Sequence, residues 1–133
     1  MHAVETLKTY YEALAHKHLE VVADSYDVPS KMVTLAGVVN FSSRDAVKAA
    51  FENLIKAWEQ QGISSRVGFD VADFSTTDIQ QNCVLITNQL TNFNLNGDFN
   101  QTWECTYVMT KTDGKWKISV ATTNNKATIS VRN

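Results

Sequence analysis

Apolar side chains recur every three or four positions in three stretches of the chain, which predicts three amphipathic helices. The first covers residues 3–16, and the second, shorter one ends before Pro29, which has no amide hydrogen to donate. The third begins after Ser42 and Ser43, which are typical N-cap residues, and ends at Gly62. The predicted buried stripes are Val4, Leu7, Tyr11 and Leu14; then Leu19, Val22, Ala23 and Tyr26; then Val47, Phe51, Leu54, Ile55 and Trp58.

Elsewhere the pattern is β-prone, with short stretches of alternating apolar and polar residues, which predicts strands. KMVTLAGVVNF divides into two short strands at Gly37, RVGFDV forms a third, and STTD reads as a polar break. Two long β-prone runs are joined at Asn96-Gly97, and the last strand follows Asp113-Gly114; both dipeptides favour two-residue hairpin turns. We therefore predict an α+β domain in the order α-α-β-β-α-β-β-β-β, with the helices on one face of a curved antiparallel sheet.

The two tight turns also predict which residues share the inner face, because opposed residues project to the same side of a sheet. Asp113-Gly114 sets Met109 opposite Ile118, and Asn96-Gly97 sets Leu90 opposite Trp103. The predicted inner face comprises Val84, Ile86, Asn88, Leu90, Trp103, Cys105, Tyr107, Met109, Trp116, Ile118, Val120, Thr122 and Asn124. Cys83 falls on the outer face, so a disulfide with Cys105 is disfavoured.

Length and charge narrow the class of protein. The 133 residues fit one domain spanning 1–133, and the formal net charge of −2 includes no basic block, which argues against a nucleic-acid partner. No apolar run approaches the roughly 20 residues that span a bilayer. The N-terminus lacks the apolar core of a signal peptide, which predicts a cytoplasmic protein.

The order of elements resembles a known superfamily. YYEAL in the first helix, a short helix ending in SY, VVNFSSRDAV, a helix ending in W-x-x-x-G and a hairpin reading YVMTKTDGKWKI all contribute. Together they resemble the nuclear transport factor 2-like superfamily, in its SnoaL-like branch, over residues 3–124. The resemblance implies a cystatin-like α+β cone: a sheet curved around the helices, with a pocket inside and homodimers formed through the outer sheet face. The tail, residues 125–133, is β-prone and could add an edge strand or contact a partner subunit.

The same resemblance identifies the positions where chemistry would occur. Compared with ketosteroid isomerases, Tyr10 falls on the oxyanion-stabilising tyrosine and Tyr26 on a second, supporting tyrosine. Thr34 falls near the general base and Cys105 near a protonated acid, both of which are Asp in those enzymes. A threonine cannot act as a base near neutral pH without an activating partner, so isomerase chemistry of that kind is rejected.

Metal and cofactor chemistry is not indicated. His16 and His18 are two residues apart on a helix and do not share a face, whereas helical two-histidine sites use i, i+4 spacing. We predict neither a metal nor a cofactor, and we expect Cys105 to be a buried, inert thiol.

Three functions remain open at this stage. The first is a domain of unassigned activity that binds a small molecule, with a mixed aromatic and amide pocket. Its predicted ligand-binding residues are Tyr10, Tyr26, Asn88, Leu90, Trp103, Cys105, Tyr107, Trp116, Thr122 and Asn124. The second is a lyase, isomerase or cyclase that acts on a small polar metabolite, with Tyr10 as the acid or oxyanion donor, Tyr26 as its support and Asp73 as a possible base. The third is a dimerisation or interaction module with a filled cone and a working outer face of Thr87, Thr91, Thr102, Thr106 and Thr123.

Overall fold

The computed structural model of the chain describes residues 2–124, and at His2, Val71 and Asn124 the description covers the backbone alone. Three helices precede or interrupt the strands: α1 (His2–Ala15), α2 (Leu19–Asp24) and α3 (Arg44–Gln60). The strands are β1 (Tyr26–Thr34), β2 (Gly37–Phe41), β3 (Ile63–Gly68), β4 (Ser75–Gln80), β5 (Cys83–Asn94), β6 (Phe99–Thr112) and β7 (Lys115–Asn124). A short 3₁₀ helix, Val71–Asp73, lies between β3 and β4. None of the helices in this part of the chain is long and apolar enough to cross a membrane.

Helix α3 begins and ends as the sequence predicts. The Ser43 hydroxyl accepts a hydrogen bond from the Ala46 amide at 3.0 Å, which satisfies one of the free donors of the first turn. Gly62, with φ of +79°, follows the C-terminus in the left-handed conformation that glycine adopts without strain. Val47, Phe51 and Ile55 form the buried stripe, so this helix packs an apolar face against the sheet.

The fold is the predicted α+β cone, in which a curved open sheet wraps around the helices. The strand order is β2-β1-β7-β6-β5-β3, and β4 also pairs with β5. Strand β5 is long enough to serve two partners, since its first half pairs with β4 and its second half with β3. The pair β1–β7 is parallel, whereas the sequence predicted only antiparallel neighbours.

Two elements differ from the prediction in their extent. The STTD segment is not a break but the start of β4, a strand whose six residues are all exposed. Because no face of this strand is buried, it has no apolar alternation that could reveal it. Tyr26 belongs to β1 rather than to the second helix, and Pro29 lies inside that strand after a cis peptide bond.

The register between β5 and β6 is confirmed over most of its length. Val84 pairs with Met109, Asn88 with Cys105, and Leu90 with Trp103. Cys83 pairs with Thr110 on the outer face, and both cysteines are free, as predicted.

The predicted register of β7 is wrong beyond Ile118. Met109 pairs with Ile118, but Val108 pairs with Val120, so Ser119 is an extra residue, a β-bulge. The Ser119 hydroxyl lies 2.5 Å from the Thr110 hydroxyl, and both donate to the Asp27 carboxylate, at 3.4 Å and 2.9 Å. This cluster on the outer face holds the bulge in place.

The bulge reverses the faces of the residues that follow it. Ala121 is buried on the inner face, whereas Val120, predicted to point inward, lies on the outer face opposite Val108. Thr122 pairs with Thr106 on that outer face. The register inferred from the Asp113-Gly114 turn fails here, because a turn fixes the pairing of two strands only as far as the first residue without a partner.

Candidate functional site

A cavity of about 360 Å³ lies inside the cone, between the helices α1 and α3 and the inner face of the sheet. Its lining residues come from both sides of the fold and from the β1–β2 turn. They are Tyr10, Tyr11, Leu14, Met32, Thr34, Leu35, Ala36, Phe51, Leu54, Trp58, Val67, Leu90, Asn92, Trp103, Cys105, Tyr107 and Thr123. Among these described lining residues there is no Asp, Glu, His, Lys or Arg. The wall is therefore mostly apolar, and its polar groups are neutral.

The first pair of tyrosines lies between α1 and β1. The hydroxyls of Tyr10 and Tyr26 are 2.9 Å apart, and their rings meet edge to face. Tyr10 lines the cavity, whereas Tyr26 is buried behind it against Phe41 and Phe51. Tyr26 therefore positions the Tyr10 hydroxyl without touching the cavity. Burial raises the pKa of both phenols, so both are neutral near pH 7.

The second group of hydrogen bonds lies between α1 and the centre of the sheet. The Tyr11 hydroxyl is 2.7 Å from the Tyr107 hydroxyl and 3.3 Å from Asn88 Oδ1. Asn88 is 1% exposed, and its Nδ2 has no hydrogen-bond partner among the described groups. Tyr11 and Tyr107 line the cavity, while Asn88 lies directly behind them. Burial raises the pKa of both of these tyrosines as well.

Cys105 is a buried thiol in the wall. Burial raises its pKa to about 11, although hydrogen bonds with Tyr107 and Thr123 partly offset that effect. The group is therefore protonated near neutral pH, and a protonated thiol is a poor nucleophile. Its chemistry is that of a small apolar side chain with a weak donor.

A polar end of the cavity is formed by Thr34, Asn92, Trp103 and Thr123, which lie where β1, β5, β6 and β7 come together. The β1–β2 turn lies beside it, and there Leu35 is 79% exposed. Elsewhere in the wall, Tyr10 forms an aromatic cluster with Phe51 and Tyr107, whose ring centroids lie 6.0 Å and 6.5 Å from its own. The cavity thus has a polar end beside the solvent-exposed turn and a largely apolar interior.

Half of the predicted ligand-binding residues line the cavity: Tyr10, Leu90, Trp103, Cys105 and Tyr107. Two more, Tyr26 and Asn88, are buried immediately behind it and hydrogen-bond to its wall. The remaining three are Trp116, Thr122 and Asn124.

Trp116 was predicted in the pocket but lies in a separate shallow depression outside α1, beside Thr6, Thr9 and Val21. It packs against the edge of the core, and its carbonyl accepts a hydrogen bond from the Thr6 hydroxyl at 3.1 Å. Trp116 lies near the β6–β7 turn, beside Gly114 and Lys115, and does not line the cavity. This location explains why a tryptophan stands between the exposed Lys115 and the half-buried Lys117: it anchors the hairpin to the first helix.

Thr122 and Asn124 are displaced by the Ser119 bulge. Thr122 lies on the outer face and donates to the Thr106 carbonyl at 2.9 Å, so its predicted place in the pocket is wrong. The Asn124 backbone pairs with Glu104 rather than Trp103, and its side chain is outside the described part of the chain. Thr123, predicted on the outer face, lines the cavity instead.

Asp73, the possible base of the enzyme hypothesis, is exposed in the 3₁₀ helix and does not line the cavity. The described residues therefore place no carboxylate beside Tyr10. The tail residues 125–133, for which an edge strand or partner contact was predicted, lie outside the described residues.

Several lining residues were not predicted as site residues. Tyr11, Phe51, Leu54 and Trp58 belong to the predicted helical stripes, and the signal for them was present, since those stripes face the same interior as the sheet. Met32, Leu35 and Ala36 come from the first hairpin, and nothing in the local pattern indicates that this hairpin curls over the cavity. Asn92 lies two residues after Leu90 on β5, so the alternation that places Leu90 inward extends to it.

Fold and cavity together define an NTF2-like cone protein, and the comparisons agree. Residues 2–126 match the family described as NTF2-like protein (DUF6841), so the chain belongs to that family. No curated protein matches the sequence. The NTF2-like resemblance is thereby confirmed, while the SnoaL-like branch stays a prediction.

Solved structures share the fold at low sequence identity. Aln2 from a Streptomyces species superposes with a TM-score of 0.78 at 10% identity, covering 99% of this chain and 94% of its own. A protein of unknown function with a cystatin-like fold from Nostoc punctiforme gives 0.75 at 10%, covering 92% and 86%. A ketosteroid isomerase-like protein from Erwinia carotovora atroseptica gives 0.70 at 9%, covering 92% of each chain. Similarities at this level of identity establish the fold and nothing about activity.

Proposed function

We propose that this protein binds a small, uncharged, largely apolar molecule inside the cone. The observation that carries the proposal is the composition of the wall: seventeen residues line the cavity, and none of those described is an acid, a base or a histidine. A volume of about 360 Å³ lies at the lower end of the range of ligand pockets. It suits a molecule of two or three fused or linked rings.

The absence of charge among the described lining residues selects against charged ligands. Transfer of an ion from water into an apolar site costs several kcal/mol unless a counter-charge or several hydrogen bonds compensate. The polar side chains of the described wall are phenols, a thiol, two threonines, an amide and two indoles. Tyr10, held by Tyr26, supplies one oriented hydroxyl for a polar atom of the ligand.

Binding is favoured over acid–base catalysis by the same lining. The phenols and the thiol have raised pKa values, so near pH 7 none of them accepts a proton as a general base. Asp73, the possible base of the enzyme hypothesis, is exposed and does not line the cavity, which favours binding over that chemistry.

Two dyes with one skeleton test the choice of a neutral ligand. N-phenyl-1-naphthylamine is uncharged, and 8-anilino-1-naphthalenesulfonate adds a sulfonate to the same rings. We expect a fluorescence titration to give saturable one-to-one binding of the neutral dye, with the sulfonate at least about tenfold weaker because its charge must be desolvated. Equal or stronger binding of the sulfonate would contradict the proposal.

The outer face of the sheet supports a second proposal, that two copies of the chain form a homodimer through it. The register places Leu85, Val108 and Val120 side by side across three strands. In the next row, the hydroxyls of Thr87 and Thr106 are 3.2 Å apart, and Thr122 donates to a carbonyl. Because each of those hydroxyls makes a hydrogen bond within the sheet, the row is less polar than its sequence suggests, and such a surface is suited to burial against its own copy.

Charge placed in the centre of this outer face should separate the subunits. We expect Val108→Asp to sediment as a monomer at micromolar concentration in analytical ultracentrifugation, while the wild type sediments as a dimer. The control is Leu95→Asp, an exposed position in the β5–β6 turn, which should remain dimeric. A monomeric wild type, or a Val108→Asp protein that stays dimeric, would overturn the dimer proposal.

A further inference from the structure

We propose that Tyr107 is a second hydrogen-bond donor to the ligand, and that the ligand therefore carries an acceptor oxygen without a proton of its own, as in a ketone, ester or lactone. This inference rests on the proposed function, since it requires that the cavity binds a ligand. It adds the chemical class of the ligand and the residue that selects it.

The inference follows from counting hydroxyl protons. Tyr11 has one proton and two acceptors in reach, the Tyr107 oxygen at 2.7 Å and Asn88 Oδ1 at 3.3 Å. The shorter contact takes the proton, so Tyr11 donates to Tyr107. Tyr107 thus accepts from Tyr11 and keeps its own proton, and Tyr107 is in the cavity wall.

The protein offers that proton only a weak acceptor. Among the described residues, the other polar side chain in contact with the Tyr107 hydroxyl, besides Tyr11, is the thiol of Cys105, which stays protonated and has a poorly accepting sulfur. A carbonyl oxygen from a ligand is a much stronger acceptor. Leaving a buried donor without a good partner is unfavourable, so the ligand that supplies one gains affinity.

Asn88 acts as a positioning residue for this donor. It is buried behind the wall, pairs with Cys105 in the sheet register, and its Oδ1 lies 3.3 Å from the Tyr11 hydroxyl. Its amide restricts where the Tyr11 hydroxyl can lie, and Tyr11 in turn sets the orientation of Tyr107. The role of this buried amide is indirect, because the cavity wall does not include it.

The same counting applies to the first pair of tyrosines. Tyr26 is fully enclosed, and within the described residues its hydroxyl meets only that of Tyr10. Its proton is satisfied only if Tyr26 donates to Tyr10, which leaves the Tyr10 proton for the cavity. Both wall hydroxyls then already accept a hydrogen bond and have a proton to give, so the site favours acceptors over donors.

Three compounds of similar shape test whether the site prefers a hydrogen-bond acceptor: 2-acetylnaphthalene, 2-ethylnaphthalene and 1-(2-naphthyl)ethanol. Each is measured by displacement of N-phenyl-1-naphthylamine from the wild-type protein. We expect the ketone to bind about three- to tenfold more tightly than the hydrocarbon, the gain of one hydrogen bond. The alcohol should bind more weakly than the ketone when its oxygen lies at Tyr10 and Tyr107, because those two hydroxyls already accept a hydrogen bond and offer its proton a poor acceptor.

Two variants assign the effect to Tyr107. In Tyr107→Phe, the ketone should lose the part of its advantage over the hydrocarbon that Tyr107 supplies and keep the part from Tyr10, while the hydrocarbon binds as before. The double variant Tyr11→Phe/Tyr107→Phe removes both partners of the internal bond and guards against misfolding, because it leaves no buried hydroxyl of that pair unpaired. Trp116→Phe, outside the cavity, is the control. The infrared carbonyl stretch of bound 2-acetylnaphthalene should rise in both Tyr107 variants and stay unchanged in the control.

Each outcome is decisive. Equal affinity for ketone and hydrocarbon in the wild type, or a carbonyl stretch that the Tyr107 variants leave unchanged, would overturn the inference and leave the proposed function intact. Binding of none of the three compounds would contradict the proposed function, and the inference would fail with it.

Discussion

Raising the pH from about 9 to about 11 is expected to destabilise the fold by roughly 5 kcal/mol. All four tyrosines of the sequence, Tyr10, Tyr11, Tyr26 and Tyr107, belong to the buried cluster around the cavity. Burial raises the pKa of each above its ordinary value near 10. Above that value the unfolded chain loses four phenol protons that the folded chain retains.

The raised pKa values of the tyrosines fix the sign of the change in stability with pH. A phenol whose pKa is raised on folding contributes its full stability below about pH 10, and the contribution is lost as the pH rises toward the folded-state pKa. Each tyrosine contributes about 1.4 kcal/mol per pH unit in that window. Cys105, whose pKa folding raises to about 11, adds to the loss in the same direction.

Two measurements check this expectation. The near-ultraviolet absorbance of tyrosinate should stay flat while the protein is folded and rise in one cooperative step when it unfolds. Urea unfolding at about pH 8 and about pH 11 gives the loss of free energy directly. The double variant Tyr10→Phe/Tyr26→Phe should lose only about half of the tyrosine contribution. A gradual tyrosinate signal from the native protein near pH 10 would contradict the buried cluster.

The chain pattern was sufficient to predict the cone and much of its interior, for identifiable reasons. Asn96-Gly97 and Asp113-Gly114 are strong turn signals, and Asp113 and Gly114 both adopt positive φ, at +53° and +77°. From them the faces of β5, of β6 and of β7 up to Ile118 follow by alternation. Tyr10, Leu90, Trp103, Cys105 and Tyr107 line the cavity, in agreement with these faces or with the resemblance, and their role in ligand binding stays a prediction.

The errors arise where distant segments decide the local structure. The Ser119 bulge depends on Asp27, which reaches it from β1 and is 92 residues away in the sequence. The sequence around Ser119 gives no local signal of the extra residue. Alternation therefore assigns Val120, Thr122 and Thr123 to the wrong faces of the sheet. Strand β4 was missed because its exposed residues pair only with β5. Each case is a tertiary contact that overrides alternation.

The cavity itself was the least predictable feature. Its volume depends on how far α3 enters the cone, and the sequence shows the stripe of Phe51, Leu54 and Trp58 but not its distance from the sheet. The hydrogen-bonded hydroxyl pairs could not be predicted from the sequence either, since Tyr11 and Tyr107 are 96 residues apart in the chain. Only the contact between Tyr10 and Tyr26 was suggested beforehand, by the resemblance.

Filling the cavity should abolish ligand binding without loss of the fold. Leu54 is half-buried on α3 and lines the cavity, so Leu54→Trp introduces an indole into the space proposed for the ligand. We expect the affinity for N-phenyl-1-naphthylamine to fall at least about thirtyfold, which is about 2 kcal/mol. The cost in unfolding free energy should be about 1–3 kcal/mol, the range typical of overpacked cores.

The matched control is Val21→Trp, which adds the same side chain at the second depression beside Trp116. The decisive measurement is a fluorescence titration of N-phenyl-1-naphthylamine against the wild type, Val21→Trp and Leu54→Trp, with all three shown to be folded by urea unfolding. The account predicts equal, saturable binding to the first two and none to the third. Undiminished binding to folded Leu54→Trp, or no binding to the wild type, would contradict a ligand site inside the cone.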